Sequence, residues 1–136
     1  MTFLIDTDLL SMLERRSVPP KLKRWIEDHQ EEIFLSVVSL AELQFGLLRA
    51  PATHQANVAA WLAEIRQRLA PATEPLTLPV LVRWKELIAD LKVKNRTMTC
   101  EDSLIAATAL YYGHAVATHN TRHFEPAGVE IVDPLA

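Results

Sequence analysis

Asp6, Glu42 and Asp102 are the residues whose type and placement could do chemistry. Asp6 ends the apolar triplet Phe3-Leu4-Ile5, Glu42 lies early in the apolar run after Ile33 to Val37, and Asp102 opens an alanine-rich run. Each has an ordinary structural job open to it. Asp6 or Asp8 can cap the helix that follows. Ser39-Leu40-Ala41-Glu42 matches a capping box, and Thr99 with Asp102 matches a second one. Gathered on one rim, the three are harder to explain that way. Two carboxylates ~4 Å apart repel by about 4 kcal/mol at an effective dielectric of about 20. Three converging would cost an amount comparable with a whole folding stability of ~5–15 kcal/mol. Helix N-termini offset some of this, and a divalent cation offsets far more. Oxygen-only donors select a hard ion, Mg²⁺ or Mn²⁺. Mg²⁺ held by few carboxylates keeps several waters, as phosphodiester hydrolysis requires: one water attacks while the ion neutralises charge on the phosphate.

Other candidates carry less. His114, His119 and His123 straddle a short apolar stretch and a loop without established zinc-ligand spacing. Cys100 has no evident Cys–His unit, and a partly buried structural thiol is the expectation. The net charge of −3 does not attract polyanions, so a nucleic-acid partner needs local basic patches. Lys21, Lys23 and Arg24 form one cluster, best read as a solvated helix face. Lys92, Lys94 and Arg96 form a second, shortly before Asp102, for which solvated face and nucleic-acid contact stand even.

The elements that must position the three acids follow from apolar patterning. Short apolar runs alternate with longer helical patterns, which predicts a parallel sheet with crossover helices. Strands are expected at Phe3–Ile5, Ile33–Val37, Glu74–Thr77, Ala115–Thr118 and Val129–Val132. Helices are expected through Leu9, Leu10 and Leu13; from Pro20 through His29; from Ser39 to about Arg49; through Val58, Trp61, Leu62, Ile65 and Leu69; and from Asp102 to Tyr112. Between the last two, Val80, Trp84, Leu87, Ile88 and Leu91 are expected to face inward from a further helix. The first, second and fourth strands are continuously apolar and call for central places. Pro75 and the alternation at Val129 to Val132 give the third and fifth edge character. With right-handed crossovers, the order 3-2-1-4-5 satisfies all of these preferences. Asp6 then sits at the switch point between strands one and four, where such sheets bind ligands.

Length bounds the rest. The 136 residues suit one domain, 1–136, and 49% hydrophobic content suffices for its core. Only three Gly against eight Pro, with no Ser/Gly-rich run, argues against linkers. The N-terminal apolar stretch is broken at Asp6 and Asp8, so neither a membrane span nor a signal peptide is expected. A lone cysteine fits a reducing compartment, and a cytoplasmic location is the expectation.

Leu4-Ile5-Asp6-Thr7-Asp8 resembles the opening of PIN-domain proteins, and Ser36-Val37-Val38-Ser39-Leu40-Ala41-Glu42-Leu43 resembles the second motif of that family. Glu101-Asp102-Ser103-Leu104-Ile105-Ala106-Ala107-Thr108-Ala109 resembles the third and is the most specific match. Ala117-Thr118-His119-Asn120-Thr121-Arg122-His123-Phe124 resembles the fourth, and Gly128-Val129 to Asp133-Pro134 the usual ending. The overall pattern is similar to the VapC/FitB-like toxins of bacterial toxin–antitoxin pairs. The resemblance implies a three-layer α/β/α sandwich, Mg²⁺-dependent endoribonuclease activity, and a homodimer neutralised by a cognate antitoxin. It implies that Asp6 and Asp102 are the principal metal ligands, with Glu42 as the third acid. Thr7, Ser39, Thr118, Asn120 and His123 would support them. The fourth motif departs from its strongest form. Where many relatives carry another acid before the Phe, this chain has His123, and Asn120 is uncharged. Glu101 or Glu125 could compensate; one-ion and two-ion arrangements both stay open.

The expected function is therefore an endoribonuclease toxin in which Asp6, Asp102 and Glu42 hold Mg²⁺, with Arg96 and Arg122 on the RNA backbone. The alternative is a catalytically weak PIN-fold interaction module whose acidic rim grips an arginine of a partner protein. A third reading, another Mg²⁺-dependent phosphotransfer protein, is weakened by the lack of a Gly-rich phosphate loop.

Overall fold

Residues 1–15 and 17–136 are described by a computed structural model. Among the described residues, five short strands alternate with seven α-helices: β1 (Phe3–Ile5), α1 (Thr7–Met12), α2 (Pro20–Asp28), β2 (Ile33–Ser36), α3 (Val37–Arg49), α4 (Ala52–Leu69), β3 (Thr73–Glu74), α5 (Leu78–Val93), α6 (Cys100–Tyr112), β4 (Ala115–Ala117), α7 (Thr121–Phe124) and β5 (Ile131–Val132). The sheet runs β3-β2-β1-β4-β5, and every pairing is parallel. This is the expected order. β1 is central: Phe3 pairs with Ile33 on one side and with Ala115 on the other.

A strand with helices on both sides buries both its faces, and β1 shows this residue by residue. Leu4 joins Val116, Leu87, Leu91, Ile105, Ala106 and Phe124 in a core under α5, α6 and α7. Phe3 and Ile5 point the other way, into a core with Leu9, Leu10, Leu22, Leu35 and Ile65 from α1, α2, β2 and α4. Leu4, Leu9, Leu22, Leu35, Ile105 and Val116 are wholly buried. At about 1.5–3 kcal/mol for each such side chain, these two layers supply most of the force that holds the sheet between its helices. α6 packs on the sheet through Ile105 and the small side chains of Ala106, Ala107 and Ala109, all wholly buried.

Several boundaries differ from the sequence reading. β2 stops at Ser36, and α3 begins at Val37 instead of Ser39. Ser36 is extended (φ −98°, ψ 144°) and its hydroxyl accepts from the Val38 amide at 3.0 Å, so Ser36 is the cap. β3 ends at Glu74, since Pro75 has no N–H to continue the ladder. α6 opens two residues before Asp102, capped by Thr99, and closes on Gly113 in the left-handed region (φ 76°). Ile88 is 38% exposed, off the buried line of Val80, Leu87 and Leu91. Cys100 is exposed, not partly buried. No helix among the described residues is long and apolar enough to cross a membrane.

Candidate metal and phosphodiester site

Asp6 follows β1 without a break. Its amide donates to the Ala117 carbonyl at 2.9 Å, extending the β1–β4 ladder by one residue. Its φ/ψ of −69°/151° is the extended conformation of an N-cap, yet its side chain makes no capping bond. The carboxylate instead accepts from the Thr118 hydroxyl, Oγ1 to Oδ2 2.8 Å, across the β1–β4 seam. Thr118 is fixed in turn, because its Oγ1 accepts from the Asn120 amide at 3.0 Å. Asp6 is only 4% exposed. Burial pushes its carboxyl from 3.8 up to about 6; the Thr118 bond opposes this, while Asp8 and Asp102 add repulsion.

Glu42 is held from the other side of the switch point. Thr7 Oγ1 lies 2.9 Å from Glu42 Oε1 and 2.8 Å from Ser39 Oγ. A hydroxyl has one hydrogen to give, and a carboxylate only accepts. Thr7 therefore donates to Glu42 and accepts from Ser39. The expected Ser39–Glu42 capping box does not form, because Ser36 already caps α3 and Ser39 lies two residues inside the helix, wholly buried. Glu42 is left with an inter-element role. Burial raises its pKa, Thr7 opposes this, and Glu101, Asp102 and Asp8 raise it further.

Asp102 sits in the first turn of α6. Its amide donates to Thr99 Oγ1 at 3.1 Å, which is half of a capping box. Its carboxyl is raised by burial, lowered by Thr99 and His123, and raised again by Asp8 and Glu101. His123 Nδ1 stands 3.6 Å from Asp102 Oδ2, so the fourth motif brings an imidazole to this acid. Arg122 is exposed beside it, and both side chains line an open hollow with Thr97, Met98, Thr99 and Asp102. Arg96 is also exposed, on the loop after α5, and lines an adjoining hollow with Lys92 and Asn95 instead of this one. Asn120 makes no hydrogen bond to Asp6 among the described residues; its Nδ2 donates to Asp8 Oδ2.

The rim thus joins five acids through space: Asp6, Asp8, Glu42, Glu101 and Asp102 each bear on at least one of the others. Sequence reasoning passed over Asp8 as a site residue. Its signal was the Asp6-Thr7-Asp8 spacing at a strand end, read only as a cap. Among the described residues, no three His, Cys, Asp or Glu side chains are brought close enough together to hold a metal ion between them, so the three predicted acids share a rim without converging on one point. The donor set nonetheless fits a hard divalent ion. It is all oxygen, its central carboxylate is buried and repelled by its neighbours, and Mg²⁺ is held by one or two carboxylates and its own waters.

Comparison with known proteins identifies the family. The model of the PIN domain matches residues 3–129. This chain belongs to the PIN-domain family. It is 32% identical over 133 residues to the VapC ribonuclease Y4jK of Sinorhizobium fredii, covering 96% of this chain and 95% of that protein. The crystal structure of FitAcB from Neisseria gonorrhoeae superposes on this PIN domain with a TM-score of 0.88 at 26% identity, covering 98% of each chain. DNA-bound VapBC from Salmonella typhimurium superposes with a TM-score of 0.88 at 22% identity over 98% of each chain, which is a likeness of fold.

Proposed function

We propose that this PIN domain is an Mg²⁺-dependent endoribonuclease, the toxin of a toxin–antitoxin pair, acting in the cytoplasm as a homodimer and neutralised by a cognate antitoxin. Its relatives support this by name: VapC ribonuclease among the sequences, and toxin–antitoxin complexes among the structures. The observation that carries the reading is Asp6, a buried carboxylate at the sheet's switch point with its pKa raised to about 6. A group so placed holds its charge at neutral pH at a cost, and a bound cation removes that cost.

Asp6 and Asp102 would hold the ion, with Glu42 taking part from α3. Bound Mg²⁺ supplies positive charge against the phosphodiester and lowers the pKa of a coordinated water. The protein's own groups do the positioning. Thr118 fixes the Asp6 rotamer, Thr7 and Ser39 fix Glu42, and Asn120 fixes Asp8. These bonds hold the donors in place before substrate arrives.

The test is cleavage of RNA with Mg²⁺ by the wild type and by Asp6→Asn, paired with calorimetric titration of Mn²⁺ into each. The expected result is cleavage and Mn²⁺ binding by the wild type, both lost in the variant. Equal cleavage by the two proteins sinks the assignment. Failure of the wild type to bind millimolar metal, on the order of ordinary Mg²⁺ supply, favours the alternative interaction module.

A further inference from the structure

We propose that the hollow beside Asp102 is the subsite for the nucleotide adjoining the cut, with Arg122 and His123 on its phosphate and Met98 against its base. The inference rests on the ribonuclease reading and adds to it the direction in which the RNA lies.

The surroundings of the acids are lopsided. Asp6, Asp8, Glu42, Glu101 and Asp102 make the switch point a repulsive place for RNA, so phosphates beyond the one being cut need a cationic or donor-rich path. Arg122 and His123 provide one. They follow each other on α7, both are exposed, and both line a single hollow that Asp102 also lines. Arg122 makes no ion pair among the described residues, so its guanidinium fork is free for a phosphate. The hollow is about 400 Å³, within the range of roughly 300–1,000 Å³ that takes small ligands.

The far wall has different chemistry. Met98 is half-buried, packed against the core beneath α6, and presents a polarizable thioether of the sort that lies well against aromatic rings. Thr97 and Thr99 flank it. Thr99 Oγ1 already accepts from the Asp102 amide, which leaves its O–H to donate outward. A base edge or a ribose 2′-hydroxyl is a suitable acceptor, and single-stranded RNA is read through such edges and stacked faces. Cation, thioether and hydroxyls together match the phosphate, base and sugar of one nucleotide. Lys92, at the end of α5, and Arg96, on the loop after it, line an adjoining hollow that shares Thr97 and Met98 with this one and that no site acid lines.

The experiment measures binding of a short fluorescein-labelled single-stranded RNA to Asp6→Asn protein, which leaves the RNA intact, with and without Arg122→Ala, His123→Gln and Met98→Ala. Lys21→Ala, on the opposite helical layer, is the control. Arg122→Ala is expected to weaken binding about tenfold, as loss of one charge-assisted contact does. In the cleaving wild-type background it should raise KM more than it lowers kcat. Met98→Ala should change which sequences are cut, and His123→Glu should weaken binding more than His123→Gln. If the wild type cleaves RNA but Arg122→Ala binds within about twofold of its parent, the subsite is wrong and the ribonuclease reading stands. If the unsubstituted chain neither binds nor cleaves RNA, both fall.

Discussion

At the residue scale, Asp6 concentrates the energetic tension of the molecule. Its carboxyl is pushed up to about 6 by burial, against 3.8 for an ordinary aspartate. Folded chain therefore keeps a proton that unfolded chain has released, and the group's contribution to stability is full below about pH 4 and lost as pH rises through about 6, a loss on the order of 3 kcal/mol. Metal-free Asp6→Asn protein is thus expected to melt above the wild type at pH 7, with the gap closing toward pH 4. Mn²⁺ should raise the wild-type melting temperature at pH 7 and leave the variant unmoved; a variant that melts lower at pH 7 would remove the burial argument. Asp6 and Asp102 were legible because each stands at the end or start of a strongly patterned element. The Asn120–Asp8 bond was not legible, since it joins side chains 112 residues apart on a loop and a first helical turn.

At the scale of elements, the sheet order followed from burial and right-handed crossovers: strands that read as apolar on both faces lie inside, and strands broken by Pro75 or alternation lie at the edges. The start of α3 did not follow. Val37 and Val38 are β-branched and extend the strand pattern of β2, so Ser39 looked like the first cap available. The chain turns earlier because Ser36 accepts the Val38 amide. Ser36→Ala should therefore cost about 1 kcal/mol in urea unfolding, the usual loss for a cap. Thr7→Val removes the hydroxyl shared by Ser39 and Glu42 and should cost about 1 kcal/mol as well. It should also lower RNA cleavage through the freed Glu42, whereas Ser36→Ala should leave specific activity nearly intact once folded protein is counted. Equal activity loss in both would mean that Glu42 does not depend on Thr7.

At the scale of the whole molecule, a net charge of −3 limits how RNA can be held. Few cations face the site, so few counterions leave on binding. With about two phosphate contacts, log K should fall with log salt at a slope of roughly −1.4 for single-stranded RNA, and a slope several times steeper would point to a basic surface elsewhere. The three-layer build was legible for the same reason as the sheet order, while the hollow by Asp102 was not, because it joins the loop at Thr97 and the start of α6 to the short helix α7, which are distant in sequence and share no periodicity to read. One bond has a further meaning for a protein that would harm its own host. The Thr118 hydroxyl that orients Asp6 comes from 112 residues later in the chain. Synthesis runs from the N-terminus, so a ribosome carrying the first hundred residues displays Asp6 without the strand and threonine that complete its surroundings. The Asp6–Thr118 pair forms only after residue 118 has emerged, and under the ribonuclease reading products cut short before Asp102 and Thr118 are expected to be inactive.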